Sequence, residues 1–425
     1  MNITILNGSA ELSAFDAYLV ELRNLIESNG HSVTQLDLRD LDLRYCTGCF
    51  GCWVKTPGEC LFADETLEVR RAVIHSDFTL WAAPLRMGFP GALLKRAMDK
   101  FLPLIHPYFE VVHGEAHHRK RYARYPRLGL LVGPEPDTDA ADLEIVAALF
   151  SRTAVNFKTR LEFALTTASP AAELGEAIMD GPLSFTAFER QMEPTSGVRI
   201  SPPGQLTLFN GSPRGSKGNT PIMLTQFGEG FASLPGCAYD LQHIKRIKDQ
   251  DEQRQLFAEA QVVWLGFPLY TDAMPALVKT FIEALEPLRG RANNPAIGFL
   301  VQSGFPEALH SRYIERYLQK LAARLGSPYL GTIVKGNGEG VRLISDKANG
   351  KLFGALQALG AGLAGSGQLD AALLRRVAGI ERYPAILGPL FKLFVHTPLA
   401  SWYWDSQLKE NGVYDQRFVR PYSDG

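Results

Sequence analysis

The sequence predicts an α/β protein with two tandem domains, each a doubly wound parallel sheet. One observation is an internal repeat: ITILNGS at 3–9 recurs as LTLFNGS at 206–212, and LWAAPLRMGFPGALLKRAMDKFLPL from Leu80 recurs as VWLGFPLYTDAMPALVKTFIEALEPL from Val263. A second is that short apolar runs alternate with helical patterns in both halves, which is typical of βαβ units. A third is that a polar, glycine-containing loop follows the first predicted strand of each half.

Five strands are predicted in each half, the number found in a flavodoxin-like sheet. The first half places them at residues 2–6, 32–38, 78–83, 128–133 and 161–166. The second half places them at residues 205–209, 237–241, 261–266, 296–302 and 329–334. We therefore expect domains at 1–169 and 205–336, a linker rich in Pro, Gly, Ala and Ser at 170–204, and a helical, aromatic C-terminal extension at 337–425.

Composition indicates a globular enzyme rather than a nucleic-acid-binding or membrane-spanning protein. The 425 residues are 46% hydrophobic and 21% charged, and the net charge of −1 creates no general attraction for nucleic acid. The start of the chain lacks the features of a signal peptide, and a cytoplasmic location is expected. The most apolar late stretch, YPAILGPLFKLFVHTPLASWYW, is interrupted by three prolines and Lys392, and is interpreted as packed helix and loop. A membrane-surface role is the less favoured interpretation.

The loop GSPRGSKGNT in the second half has the chemistry of a phosphate site. It lies between a predicted strand and a predicted helix, where backbone N–H groups and the helix dipole favour an anion. Ser212, Asn219 and Thr220 supply hydrogen-bond donors, while Arg214 and Lys217 supply positive charge. An ordinary strand-to-helix turn is the alternative, but donors, charge and position together favour a binding function.

The corresponding loop of the first half has the opposite charge. It reads NGSAELSAFD, with Ala10 and Glu11 where the second copy has Pro213 and Arg214, and Asp16 follows at the helix start. Carboxylates facing a phosphate repel it by about 1 kcal/mol or more per charge. Alternatively, both acids are surface charges of a helix N-terminus. Either interpretation predicts no phosphate-bearing ligand in this half.

Four of the five cysteines fall within one short segment: Cys46, Cys49, Cys52 and Cys60. Three closely spaced thiols and a returning fourth are ferredoxin-like spacing, which favours a [4Fe–4S] cluster. Structural zinc is a second possibility, although it is usually held by two separated CxxC pairs. Thiols without a metal are a third. Cys237 is interpreted as a buried small hydrophobic residue.

The loops and the cysteine motif resemble the NAD(P)H-dependent flavin reductase and iron–sulfur flavoprotein group of flavodoxin-like proteins. The resemblance rests on GSPRGSKGNT, on FPLYTDAMPALVK at 267–279 and on CTGCFGCWVKTPGEC. It implies that the loop after the third strand lies along the flavin ring, and that the loops after strands four and five complete the site. The residues implied are Pro268, Leu269, Tyr270, Thr271, Asp272, Ser303, Gly304, Gly336 and Gly338.

This resemblance implies an FMN-dependent oxidoreductase that takes electrons from NAD(P)H and passes them to a small-molecule or protein acceptor. The flavin carries that chemistry, so no side chain is named as catalytic, and Tyr270 and Asp272 are candidates for contacts at the ring edge. An electron carrier or redox sensor using FMN and an iron–sulfur or dithiol centre is the alternative. Family members usually pair as homodimers, so the two copies are expected to form a pseudo-dimer within one chain, with a further homodimer as an option.

Two other segments are distinctive. The first half contains the insert HPYFEVVHGEAHHRKRYARYPR, with His106, His113, His117 and His118, for which a packing or dimer arm is favoured over a metal site. The C-terminal extension is rich in aromatic residues between Trp402 and Tyr422. A strap across the domains is favoured there, and a lid over the flavin is the alternative.

Overall fold

The structure, a computed structural model, describes residues 1–180, 197–383 and 388–423. The chain forms two compact units. Unit 1 contains Met1–Glu189 and Pro384–Gly425, and unit 2 contains Arg190–Tyr383. The C-terminal segment therefore returns to the unit in which the chain begins.

Unit 1 is built on a parallel sheet of five strands in the order β2-β1-β3-β7-β8, with a two-residue strand β4 antiparallel to β3. Its strands are β1 Asn2–Asn7, β2 Ser32–Asp37, β3 Phe78–Arg86, β4 Phe89–Pro90, β5 Ile105–Val112, β6 Glu115–Lys120, β7 Arg127–Gly133 and β8 Leu161–Thr166. Its helices are α1 Ala14–Ser28, α2 Gly51–Val54, α3 Thr66–His75, α4 Ala92–Asp99, α5 Ala140–Asn156 and α6 Ala171–Asp180.

Unit 2 repeats this plan, with a parallel sheet in the order β10-β9-β11-β12-β13. Its strands are β9 Gln205–Asn210, β10 Ala238–His243, β11 Val262–Pro268, β12 Ala296–Gln302 and β13 Tyr329–Lys335. Its helices are α7 Asn219–Phe231, α8 Gln250–Glu259, α9 Ala276–Ala284, α10 Leu309–Leu325, α11 Asp346–Ser366 and α12 Ala371–Ala378. All ten predicted strands of the two sheets are confirmed, and their order is the flavodoxin-like one.

The apolar runs form central strands because helices cover both faces of each sheet. Every residue of β11 and of β12 is buried. Trp81 and Trp264 occupy equivalent positions of the repeat, and both are almost fully buried. The buried lysines of the repeat are also equivalent, since Lys95 pairs with Asp99 and Lys279 with Glu283, each four residues further on.

The predicted C-terminal extension is divided between the units. Helix α11 packs along α7 in unit 2, as α6 packs along α1 in unit 1. Residues 346–366 are therefore the final helix of the second fold, and α6 is the equivalent helix of the first copy. The predicted linker at 170–204 likewise contains α6, and its residues 181–196 lie outside the described part of the chain.

Two further helices, α13 Gly388–Phe394 and α14 Pro398–Glu410, lie in unit 1 and contact β5. The insert of the first half forms the antiparallel hairpin β5–β6. Arg121 in this hairpin region donates to the carbonyls of Arg417 and Val419 at 3.2 and 2.8 Å, which holds the end of the chain in place. Within the described residues, no helix combines the length and apolarity that crossing a membrane requires.

Candidate functional site

The first loop of unit 2 is a braced turn between β9 and α7. Asn210 accepts a hydrogen bond from the Ser212 N–H at 3.0 Å and donates one to the Gly215 carbonyl at 3.1 Å. Gly218 is the N-cap of α7, and a Cβ there would lie 2.3 Å from the Ser212 hydroxyl. The loop therefore requires glycine at this position.

The start of α7 offers donors to an anion. The first N–H groups of a helix lack partners within it, and Gly218 has no side chain with which to cap them. The backbone N–H groups of Asn219 and Thr220 are therefore placed to bind a ligand. The Thr220 hydroxyl is buried and has no hydrogen-bond partner. An acceptor bound there would remove the cost of leaving that group unpaired.

A carboxylate lies against this loop, the predicted phosphate loop at residues 211–220. Glu339, in the turn after β13, accepts from the Arg214 guanidinium at 2.7 Å and from the Asn219 amide at 3.2 Å. Arg214 and Asn219, both predicted to bind a phosphate, thus donate to the same carboxylate, that of Glu339. A carboxylate resembles a phosphate in its acceptor oxygens. Lys217 is exposed, and its carbonyl accepts from the Arg342 guanidinium.

The loop predicted to line the flavin ring contains a strained turn. Tyr270 and Ala273 exchange two backbone hydrogen bonds, of 2.9 and 3.0 Å. Thr271 and Asp272 between them have φ of 42° and 59°, the combination of a type I′ turn. A β-branched residue rarely adopts positive φ, and such strain is concentrated at functional sites. Pro268 ends β11, and the following N–H, that of Leu269, donates to the Gln302 carbonyl at 2.7 Å.

The loops after β12 and β13 meet beside the phosphate loop. The Gly338 N–H donates to the Ser303 carbonyl at 2.7 Å. A Cβ on Gly338 would lie 2.3 Å from the Gln302 amide oxygen, and one on Gly336 would clash with the backbone before α10. A Cβ on Gly304 would have its nearest neighbour at 3.8 Å, on Glu339, so this position is open. The Ser303 hydroxyl and the Gln302 amide oxygen are both buried without a hydrogen-bond partner.

In unit 1 the equivalent helix start is occupied by the chain's own side chains. Ser13 caps α1, and Asp16 closes the capping box by accepting from the Ser13 N–H at 2.9 Å. Asn7 and Arg39 also donate to Asp16, at 2.8 and 2.6 Å. Burial opposes the charge of Asp16, but these hydrogen bonds outweigh it and lower its pKa. Glu11 is exposed.

The four clustered cysteines line one pocket of unit 1, between α2 and the end of α4. Its empty space is about 350 Å³, including the part open to solvent, and its other walls include Phe50, Leu61, Phe62 and Leu102. All four cysteines are free thiols. Cys52 is buried, Cys49 is exposed, and Cys46 and Cys60 are intermediate. The residues predicted as ligands are thus brought together by the fold.

Hydrogen-bond donors reach the sulfur atoms both from within the motif and from outside it. Lys100 Nζ donates to Cys60 Sγ at 3.5 Å, and the Gly51 N–H donates to Cys49 Sγ at 3.4 Å. Burial, with the nearby charge of Asp99, raises the pKa of Cys46 to about 12. Burial likewise raises the pKa of Cys52. As free thiols, Cys46 and Cys52 are therefore protonated at neutral pH.

The C-terminal segment covers the cysteine loop. The Trp404 ring meets Phe50 and Trp53 edge to face, at centroid distances of 5.3 and 5.2 Å. Trp53 stacks on Phe50 and donates to the Ile105 carbonyl at 3.0 Å. In the described residues, no three His, Cys, Asp or Glu side chains stand closely enough to hold a single metal ion, including those of the histidine-rich insert.

Comparison with known proteins agrees with the motifs. Residues 1–122 match the profile described as NADPH-dependent FMN reductase. The matched part contains the whole cysteine motif, whereas the braced loop at 211–220 lies in the second copy of the fold.

Parts of the chain are also similar to individual proteins. An iron–sulfur flavoprotein of Archaeoglobus fulgidus is 35% identical over 91 residues, which are 21% of this chain and 39% of that protein. Azoreductase AzrA is 14% identical, with 38% of this chain and 98% of that one covered and a TM-score of 0.30. The NAD(P)H:quinone oxidoreductase from Methanothermobacter marburgensis is 14% identical, with 37% and 94% covered and a TM-score of 0.29.

Several features of the site carry no clear signal in the sequence. Glu339 was not a predicted site residue, because an acid in a glycine-rich loop is common and its partner Arg214 lies far away in the chain. Lys100 and Trp404 reach the cysteine pocket from a helix end and from the C-terminal segment. The positive φ angles at Thr271 and Asp272 are not expected from those residue types.

Proposed function

We propose that the protein is an FMN-dependent oxidoreductase that moves electrons from NAD(P)H to a small-molecule or protein acceptor. The observation that carries this proposal is the carboxyl edge of the sheet of unit 2. A braced loop with unused donors lies there beside three buried polar atoms that lack partners, on Thr220, Ser303 and Gln302. Open α/β sheets bind ligands at that edge.

The residues of this edge fit FMN. Its phosphate would accept from Ser212, Thr220, Asn219 and the first N–H groups of α7, with Arg214 as the counter-charge. Bound FMN would accept hydride from a nicotinamide and pass electrons onward. The strained turn at 270–273 would hold Tyr270 and Asp272 at the ring edge.

We further propose that the cysteine pocket holds a [4Fe–4S] cluster. Four thiols line one pocket with apolar walls, and Lys100 and the Gly51 N–H already donate to two sulfur atoms. Such donors stabilise thiolates and adjust the potential of a cluster. The similarity to an iron–sulfur flavoprotein supports the same assignment. A single zinc ion, bound tetrahedrally with each sulfur atom about 2.3 Å from the metal, would need the four sulfur atoms to lie about 3.8 Å from one another.

Cofactor analysis of anaerobically purified full-length protein tests both assignments. We expect one FMN and about four irons per chain. Cys49→Ala should remove the iron and leave the FMN, whereas the matched control Cys237→Ala in unit 2 should retain both. Two FMN per chain would contradict the assignment of a single site, and one zinc without iron after anaerobic reconstitution would contradict the cluster.

Turnover separates an enzyme from an electron carrier. Steady-state oxidation of NAD(P)H with ferricyanide or a quinone as acceptor is expected for the oxidoreductase. A single stoichiometric reduction without turnover would favour the carrier or sensor. A reducing, cytoplasmic location is part of the same proposal because exposed thiols and clusters persist there.

We also propose that the two copies of the fold pair within one chain. Light scattering of the FMN-loaded protein should then give the mass of a single chain, 46.9 kDa. A stable homodimer would instead favour pairing between chains, as the resemblance implies for family members.

A further inference from the structure

The outer faces of α13 and α14 present an apolar surface to solvent. Leu390 and Leu393 on α13 are 64% and 68% exposed, and Leu399 and Trp402 on α14 are 74% and 66% exposed. Within each pair the residues stand three apart, so they share one helix face. Phe394 is exposed on the same side of α13 as Leu390. Scattered exposed leucines are ordinary in proteins, but a cluster of this kind marks an interaction site.

These helices are fixed on unit 1 by their inner faces. Val395, between them, is buried, and its carbonyl accepts from the Arg119 guanidinium at 2.8 Å. Both helices contact β5. In α14, Asp405 accepts from the Tyr108 hydroxyl at 2.7 Å. The outward apolar face is therefore held in place by the packing beneath it.

Charge indicates what this surface binds. No acidic residue stands between Glu381 and Asp405, although the whole chain has 45 acidic against 44 basic residues. Lys392 is exposed and lies between Leu390 and Leu393 in the sequence. Asp405, the first acid after this stretch, is held by hydrogen bonds to Tyr108 and Ser401. The surface is thus apolar with positive charge and suits an anionic partner.

A lipid surface fits this combination better than a protein does. Lysine is depleted at protein–protein interfaces, but its long side chain can place apolar carbons in a membrane and its charge among the headgroups. Tryptophan is enriched at the boundary of a bilayer, where Trp402 would lie. Helices of 7 and 13 residues are too short to span a bilayer and instead lie in its surface.

We propose that this surface, formed by Leu390, Lys392, Leu393, Leu399 and Trp402, docks unit 1 on the surface of an anionic membrane. The apolar side chains enter the headgroup region, and Lys392 provides attraction to negatively charged lipids. This inference is independent of the cofactors, because it depends only on the outer faces of α13 and α14.

Vesicle sedimentation of the full-length protein provides the test. The probes are phosphatidylcholine vesicles with and without phosphatidylglycerol. We expect binding to the anionic vesicles that weakens as salt is raised from about 0.05 to 0.5 M, because charges at the surface are screened. Lys392→Glu should weaken that binding at least about fivefold. Leu393→Glu should weaken binding to both kinds of vesicle.

The matched control is Val20→Glu, which places the same charge on an exposed apolar position of α1 in the same unit. It should bind vesicles as the unmodified chain does. No sedimentation with anionic vesicles, or equal loss in the control, would overturn the proposal. Self-association that Leu393→Glu abolishes, without vesicle binding, would also overturn it and assign the surface to a second copy.

Trp402 provides an independent optical measurement. Trp53, Trp81 and Trp264 are buried, and Trp404 packs against Phe50 and Trp53, so lipids with brominated chains should quench mainly the exposed Trp402. Trp402→Phe should remove most of the lipid-dependent quenching while vesicle sedimentation persists. Quenching that is unchanged in this variant would show that the membrane contacts another part of the chain.

Discussion

Arg214→Ala and Glu339→Gln should change the FMN affinity in opposite directions. In the structure the Arg214 guanidinium is paired with the Glu339 carboxylate at 2.7 Å. If the phosphate takes this guanidinium, binding must release Glu339 from it. Glu339 then acts as an internal competitor, and Arg214 is the group for which the carboxylate and the phosphate compete.

The two expected magnitudes follow from the geometry. The Arg214 side chain is 20% exposed and that of Glu339 is 26% exposed. A hydrogen bond to a charged group contributes about 1.5–3 kcal/mol, so Arg214→Ala should weaken FMN binding about 10- to 100-fold. Breaking the partly exposed pair costs about 1 kcal/mol, and repulsion between Glu339 and the phosphate adds about 1 kcal/mol. Glu339→Gln should therefore strengthen binding at least about tenfold.

The assay is titration of the flavin-free protein with FMN, followed by quenching of flavin fluorescence. Arg254→Ala and Glu252→Gln, on α8 of the same unit, are matched controls that should leave the dissociation constant unchanged. An unchanged affinity in Arg214→Ala would show that the phosphate lies elsewhere. A weaker affinity in Glu339→Gln would show that Glu339 supports the site and does not compete for it.

Three further predictions concern stability, and the first of them also concerns FMN binding. Thr220→Val should weaken FMN binding about tenfold but leave the FMN-free protein as stable or more stable in urea, because it removes an unpaired buried hydroxyl. Burial, reinforced by Arg121, lowers the pKa of His106 to about 3. Between pH 6.5 and 3 the unfolded chain therefore binds a proton at this side chain that the folded chain does not bind. Acidification thus lowers the free energy of unfolding, by about 2 kcal/mol at pH 5. His106→Phe should abolish this contribution to the difference between the free energies of urea unfolding at pH 7 and pH 5. Tyr422 is buried and accepts from Arg70 at 3.0 Å, so Tyr422→Ala should destabilise unit 1 by about 3 kcal/mol and Tyr422→Phe by about 1 kcal/mol in urea unfolding.

The strands were predictable because their signal is local. A buried parallel strand must be apolar at nearly every position, as in β11 and β12, and this requirement is visible in short runs of sequence. The repeat then fixed the equivalence of the two halves, since Trp81 and Trp264 stand at matching positions. The position of the glycine-rich loop between β9 and α7 was predictable for the same reason, because Ser212 through Thr220 are continuous in the chain.

The less predictable features depend on residues that are distant in sequence. Glu339 meets Arg214 only because β13 and β9 end at the same edge of one sheet, and nothing in either loop specifies its partner. The role of α11 as the final helix of the second fold was missed because α6 and α11 share position but no recognisable sequence. Packing on α1 or α7 requires an apolar face, which many sequences provide.

The sequence by itself determined the two-copy α/β architecture, the strand positions, the donor-rich loop and the clustered cysteines, because each is encoded by neighbouring residues. Only the tertiary structure decided that residues 384–425 return to unit 1, that Trp404 covers the cysteine loop, and that a carboxylate lies on the phosphate loop. Those contacts join residues that are far apart in the chain, and their energy depends on which surfaces the completed fold brings together.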